Sequence, residues 1–194
     1  MLSSKQQKTK RIFDLIISLI GIVISSIPLI ILVLLSSIST RSFGLFFQER
    51  VGKDAEFFIL YKIKTIGVLR NGEIFLTWFG KFLRKSKLDE LPQLFNVLFG
   101  NMSMVGPRPD IQGYADELRG ADRIILSVKP GITGPATLKF SNEEELLSQQ
   151  ENPLDFNDKV LWPQKVEINK KYIEEWNFLY DIKYLVLTAQ SLIG

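Results

Sequence analysis

The stretch LIISLIGIVISSIPLIILVLLSSIS, residues 15–39, contains no charged side chain and is dominated by Ile, Leu and Val. As one helix it would reach roughly 37 Å at about 1.5 Å per residue, enough to cross a hydrocarbon core of about 30 Å. It reads as a membrane segment. A secretory signal peptide is the rival, since Lys5, Lys8, Lys10 and Arg11 make a positive n-region. The run is too long for the usual h-region, however, and ISTRS (38–42) offers no A-x-A-like cleavage site. Pro28 removes a backbone hydrogen bond and crowds the preceding turn, which predicts a bend. Ser25 and Ser26 stand where they could bond the carbonyls freed by the proline. Lys8, Lys10 and Arg11 precede the run and Arg41 and Arg50 follow it, so both ends read as cytoplasmic by charge. Two arrangements stay open on the residues alone: a single tilted span, which they favour because proline is common in membrane helices, and a bent helix that enters and leaves on one side.

The whole chain, 194 residues, is long enough for one globular domain and an accessory segment. It has no cysteine and no histidine, which excludes disulfides, thiolate metal sites and imidazole acid-base catalysis. Catalysis must therefore use carboxylates, hydroxyls, Lys, Arg or Tyr, and any metal should be a hard, oxygen-liking cation such as Mg²⁺. Charge is polarised: residues 41–88 carry ten Lys/Arg against four Asp/Glu, and residues 141–181 carry ten Asp/Glu against four Lys/Arg. A basic region after a membrane segment suits anionic headgroups or a phosphorylated substrate. Nucleic acid is not expected as a partner, because no recognition motif is present and the acidic half would repel it.

From Phe43, FGLFFQERVGKDAEFFILYKIKT reads as two strands joined at VGKD. In the second, Phe58, Leu60, Lys62 and Lys64 share one face, and both lysines fit a solvated strand surface. LTWFGKFLRKSK (76–87) reads as a helix mixing aromatic and cationic residues, as at a membrane interface. ELPQLFNVLF (90–99) is a helix stopped by Gly100. GPRP (106–109) makes a stiff loop presenting Arg108, and KPGITGPAT from Lys129 a second Gly/Pro loop. Residues 142–162 read as acidic loop or short helix, and a helical pattern runs from Val166 to the end.

Asp89 and Glu90 sit between these helices. With Asp89 as N-cap, Pro92 falls at the third helical position, where a missing N–H costs nothing. With Ser86 as cap, Pro92 interrupts the ladder. Either way the helix start and nearby Arg84, Lys85 and Lys87 favour an ionised Asp89, suited to act as a nucleophile or an Mg²⁺ ligand. Phosphoryl transfer is the reaction class that wants carboxylates, Mg²⁺ and Arg/Lys without histidine.

KRIFD (10–14), QERVGKD (48–54), YKIKT (61–65), RKSKLDELPQLFNVLFGNMSMVGPRP (84–109) and KPGITG (129–134) resemble, in order, the motifs of the bacterial sugar transferases, the monotopic polyprenyl-phosphate phosphoglycosyltransferases. The resemblance covers residues 10 to about 190. It implies that Asp89 attacks the β-phosphorus of a UDP-sugar, releases UMP and holds the phosphosugar until undecaprenyl phosphate takes it. Mg²⁺ is then bound through Asp89, and Glu90 assists as a second carboxylate. Arg84, Arg108 and Pro109 match family positions that hold phosphate, and Lys62, Lys64, Lys129 and Thr133 are further candidate contacts. The resemblance also implies a re-entrant helix over residues 12–38, bent at Pro28 with Ser26 or Ser25 supplying the compensating bond, which reverses the preference for a span.

Three places depart from the pattern. Ile27 stands where a serine often precedes the bending proline, Ile66 replaces a methionine, and Pro135-Ala136-Thr137 replaces Trp-Ala-Gln. The expected architecture is therefore α+β and mostly helical: a re-entrant membrane segment over 1–40, and a catalytic domain over 41–194 with interfacial amphipathic helices and a small antiparallel β element. It is expected on the cytoplasmic face of the bacterial inner membrane, with a homodimer and downstream glycosyltransferases as candidate partners. A non-catalytic membrane adaptor and a signal-anchored exported domain are the alternatives.

Overall fold

The computed structural model describes residues 2–69 and 71–193. It is mostly helical with three two-stranded sheets and one long apolar N-terminal helix, α1, Ser4–Thr40. Ser3 and Gln6 start α1 with a reciprocal capping box, and Arg41 ends it in a left-handed conformation. Pro28 lies inside an uninterrupted helical run. Ser25 Oγ donates to Gly21 O and Ser26 Oγ to Val23 O. The serines therefore bond carbonyls before Ile24, and Ile24 O is the acceptor that the missing proline N–H leaves open. α1 is long and apolar enough to cross a membrane, as suits a membrane-associated α+β protein, and Val23, Ile24, Ile27 and Ile30 on it are exposed.

The α1 ends are polar and buried. Lys10, Asp14 and Ser18 are buried at one end, Ser36 and Thr40 at the other. Arg11 donates to Val97 O and Leu98 O, at the last turn of α3, Gln93–Phe99, where a cation complements the helix dipole. Asp14 accepts from Ser103 Oγ and Met104 N, while Ser36 Oγ donates to Lys64 O. Lys10 pairs with Asp181 at 2.5 Å, and that carboxylate also accepts from Tyr172 and Trp176. KRIFD is thus a docking motif, and its Lys10 and Asp14 are buried because each has a partner.

β1, Leu45–Val51, and β2, Phe57–Ile63, form the expected antiparallel hairpin, with Leu45 opposite Ile63 and Val51 opposite Phe57. A second hairpin joins β3, Ile66–Val68, to β4, Ile74–Leu76. β5, Ser103–Val105, runs parallel to β6, Gly131–Thr133, so the segment expected as a second loop is in part a strand, followed by the short helix α4, Pro135–Lys139. The acidic stretch holds α5, Glu143–Ser148, and α6, Pro153–Phe156. The C-terminal pattern is two helices, α7, Trp162–Glu174, and α8, Phe178–Ile193. They part where Trp176 folds back to Asp181 and Asn177 Oδ1 accepts from Tyr180 N. The core gathers Phe58 and Leu60 from β2, Val97 from α3, Met102, Met104 and Val105 around β5, and Val166, Tyr172 and Ile173 from α7.

Candidate active site

Helix α2, Trp78–Lys85, is capped by Thr77 and ends at Ser86. Lys87 then takes a left-handed conformation (φ 56°), and a single 3₁₀ turn covers Leu88–Glu90 before α3. Neither Asp89 nor Ser86 is the N-cap of α3; that position belongs to Pro92. The left-handed Lys87 turns the chain, so the acid pair lies in the connection between two helices. The proline stands at the start of α3, where a missing N–H leaves no donor to satisfy.

Both acids are buried, Asp89 at 7% and Glu90 at 8% exposure. Glu90 Oε1 accepts from Lys62 Nζ at 2.9 Å and from Arg108 at 2.5 Å, with a weaker Arg108 contact of 3.4 Å to Oε2. Burial alone would raise this carboxyl, but Arg108 and Lys62 outweigh it and hold it at about 2. Glu90 is therefore a fixed anion that gathers two cations. Asp89 contrasts with it: Oδ1 is buried with no hydrogen-bond partner. Burial raises its carboxyl above the ordinary range, Lys62 opposes that, and the Glu90 charge adds to it. The sequence expectation that nearby cations would dominate is corrected here, because desolvation of the buried carboxyl outweighs the opposing charges of Lys62, Lys87 and Arg84. A buried carboxylate oxygen without a partner is costly unless something occupies it.

Lys62 reaches Glu90 from the β2 face that also buries Phe58 and Leu60. Asn96, fully buried in α3, holds β2 in place: its Nδ2 donates to Ile59 O at 2.7 Å and its Oδ1 accepts from Tyr61 N at 3.0 Å. Arg84, at the end of α2, donates through Nε to Thr65 Oγ1 at 3.0 Å. Gly80 permits this approach, since a Cβ there would collide with the Thr65 carbonyl. Thr65 and Asn96 are the orienting residues that the sequence reading did not single out; both lie inside quoted motifs, YKIKT and LPQLFN, which is the only signal they gave.

Arg108 is carried by the GPRP loop, and KPGITG grips that loop. Gly106 N donates to Thr133 O at 2.9 Å and Gly131 N to Pro107 O at 2.7 Å. Cβ atoms on Gly131 and Gly134 would collide with the Gly106 backbone. Pro109 is buried, its carbonyl accepting a long contact from Arg50. Burial pushes the adjacent Asp110 up to about 7, against Lys165, Arg50 and Arg108.

The structure thus brings Asp89, Glu90, Lys62 and Arg108 together, with Arg84 on the adjoining helix end. Other candidates lie elsewhere. Lys64 Nζ donates to Ser42. Lys129 sits with Arg11 beside Gly100, at the opposite end of α3, where burial and Arg11 lower its ammonium. Thr133 is buried and shares a 2.6 Å hydrogen bond with Thr188 of α8. No cluster of three or more Asp/Glu capable of caging a metal occurs among the described residues. Asp89 Oδ1 nonetheless fits the Mg²⁺ that the resemblance implies, because Mg²⁺ is commonly held by one or two carboxylates together with substrate phosphates.

The family model for Bacterial sugar transferase matches residues 5–194. The chain belongs to that family. Among its relatives, a Bacillus subtilis (strain 168) protein named "Uncharacterized sugar transferase EpsL" is 32% identical over 95% of this chain and 87% of its own length. A Klebsiella pneumoniae UDP-glucose:undecaprenyl-phosphate glucose-1-phosphate transferase is 36% identical over 93% of this chain but only 39% of its own. A Salmonella typhimurium undecaprenyl-phosphate galactose phosphotransferase is 28% identical over 95% and 40%. The chain therefore spans most of the Bacillus relative and about two fifths of the two enterobacterial ones. Membership makes it a sugar transferase by family.

Proposed function

We propose that this chain transfers a phosphosugar from a UDP-sugar to undecaprenyl phosphate, with Asp89 as nucleophile. The observation that carries the reading is the buried Asp89 Oδ1 without a partner, beside a Glu90 whose oxygens are engaged by Lys62 and Arg108. The two relatives that act on undecaprenyl phosphate by name support the acceptor. An Asp89 oxygen forms a bond to the β-phosphorus as the bond to the bridging oxygen breaks, and UMP leaves with that electron pair. An oxygen of undecaprenyl phosphate then attacks the same phosphorus and the carboxylate is released, giving the polyprenyl-diphosphate sugar. Splitting the exchange in this way suits two chemically similar displacements. Arg108, gathered by Glu90, and Arg84, oriented by Thr65, stabilise phosphate charge. When bound, Mg²⁺ supplies further neutralisation of the diphosphate.

Contacts at the two ends of α1 support a membrane arrangement. Lys10, Arg11 and Asp14 at one end of α1 and Ser36 at the other bond to one folded body. A straight span with its ends on opposite faces would separate one of these sets from its partners, so a re-entrant helix on the cytoplasmic face is the reading we adopt. UMP release should follow addition of one UDP-sugar from a panel to the membrane-embedded protein, and Asp89→Asn should abolish it. Failure on every UDP-sugar with the fold intact would favour the adaptor alternative. Labels on the two termini in sealed cells test topology independently: both cytoplasmic is expected, and opposite sides would refute the re-entrant reading.

A further inference from the structure

The β3–β4 hairpin is a structural anomaly. A two-stranded hairpin is marginal in water by itself, and this one exposes Val68, Ile74 and Leu76 on one face. Its other face is occupied by Phe75, whose ring lies over Gly67 where a Cβ would come within 2.7 Å. Immediately after it, α2 projects Trp78, 84% exposed, and Phe82, with Lys81 and Lys85 interspersed. Helix α1, itself lined with exposed apolar side chains, packs against both β3 and α2. Apolar side chains flanked by cations, adjoining the apolar helix, match the boundary between acyl chains and anionic headgroups.

We infer that the β3–β4 hairpin is a second membrane-inserted element, its Val68, Ile74 and Leu76 face covered by lipid. Seating it has a consequence at the site, because the hairpin springs from Thr65 and returns at Thr77. Thr77 N and Oγ1 both donate to Thr65 O at 3.2 Å, and Thr65 Oγ1 accepts from Arg84. Lipid contact along the strands thus holds the base that orients Arg84. The inference rests on the proposed membrane seating of α1 and is tested beside it.

The chain has no native cysteine, so single nitroxide labels can be placed cleanly. Ile74→Cys, Ile27→Cys on α1 and Leu154→Cys on α6 each replace an exposed side chain. In vesicles of mixed zwitterionic and anionic lipid, power-saturation spectroscopy compares collisions with oxygen, which partitions into lipid, and with a water-soluble nickel chelate. The Ile74 and Ile27 labels should favour oxygen severalfold over the Leu154 label. An Ile74 label as open to the chelate as Leu154, with Ile27 still in lipid, would overturn the hairpin inference alone. An aqueous Ile27 label would overturn the membrane reading and this inference with it. Dipolar broadening at Ile74 that disappears on dilution with unlabelled protein would assign the face to a second copy and also refute it.

Discussion

Replacing Glu90 by glutamine removes the carboxylate that faces both Lys62 and Arg108, and the cost can be worked from its titration. In the fold this carboxyl is held at about 2 against an ordinary 4.5. At about 1.4 kcal/mol per pH unit, that difference corresponds to about 3 kcal/mol of stability. Arg108 is 41% exposed, so solvent screens part of its share, and a loss of about 2 kcal/mol is the expectation for Glu90→Gln at pH 7. Because the folded value lies below the unfolded one, this contribution is fully present above pH 4.5 and fades as pH falls toward 2. The assay is denaturant unfolding of wild type and Glu90→Gln in detergent micelles across pH 2.5–7. The two curves should converge at the acid end. A gap that is absent at pH 7, or that stays constant down to pH 2.5, would refute the claim that Glu90 is an ion-paired organiser of the site.

Three further outcomes are expected. Asn96→Ala strands the Tyr61 N–H and the Ile59 carbonyl, and should cost about 2–4 kcal/mol in the same unfolding assay. Gly131→Ala drives a Cβ into the Gly106 backbone, and should lose about 3 kcal/mol or more, read as a drop in Tm, by forcing apart the strand that grips the Arg108 loop. The acid limb of kcat/KM should lie above 3.8 because Asp89 is raised, and Lys62→Gln should move it higher still, since Lys62 is the charge that most opposes the effect of burial; a limb that moves down would contradict the assignment.

The sequence carries the parts of this molecule whose signal is local. The apolar run from Leu15, the alternation of β2 and the glycine stop at Gly100 each reflect short-range preference, and the elements stand where those preferences put them. The parallel β5–β6 pair was not legible, because three-residue strands some 25 residues apart show no periodicity and form only where Gly106, Gly131 and Gly134 permit close approach. The break between α7 and α8 was hidden because Trp176 and Asp181 both fit a helical pattern until their hydrogen bond folds the chain back. At the site, residue types were legible and their division of labour was not. Lys62 and Arg108 converge on Glu90, while in KPGITG Lys129 lies beside Arg11 at Gly100 and Thr133 is hydrogen-bonded to Thr188. Burial, which no local pattern reports, reversed the expected direction for Asp89.

The central claim is that Asp89 forms a covalent bond to the transferred phosphosugar. Its most direct test is intact-protein and peptide mass spectrometry after rapid mixing with the active UDP-sugar in the absence of undecaprenyl phosphate. The account predicts about one equivalent of UMP released per site, and one phosphosugar adduct on the peptide containing Asp89, discharged when the lipid phosphate is added. Adduct-free protein with UMP appearing only after the acceptor is supplied, or an unchanged adduct in Asp89→Asn, would contradict it.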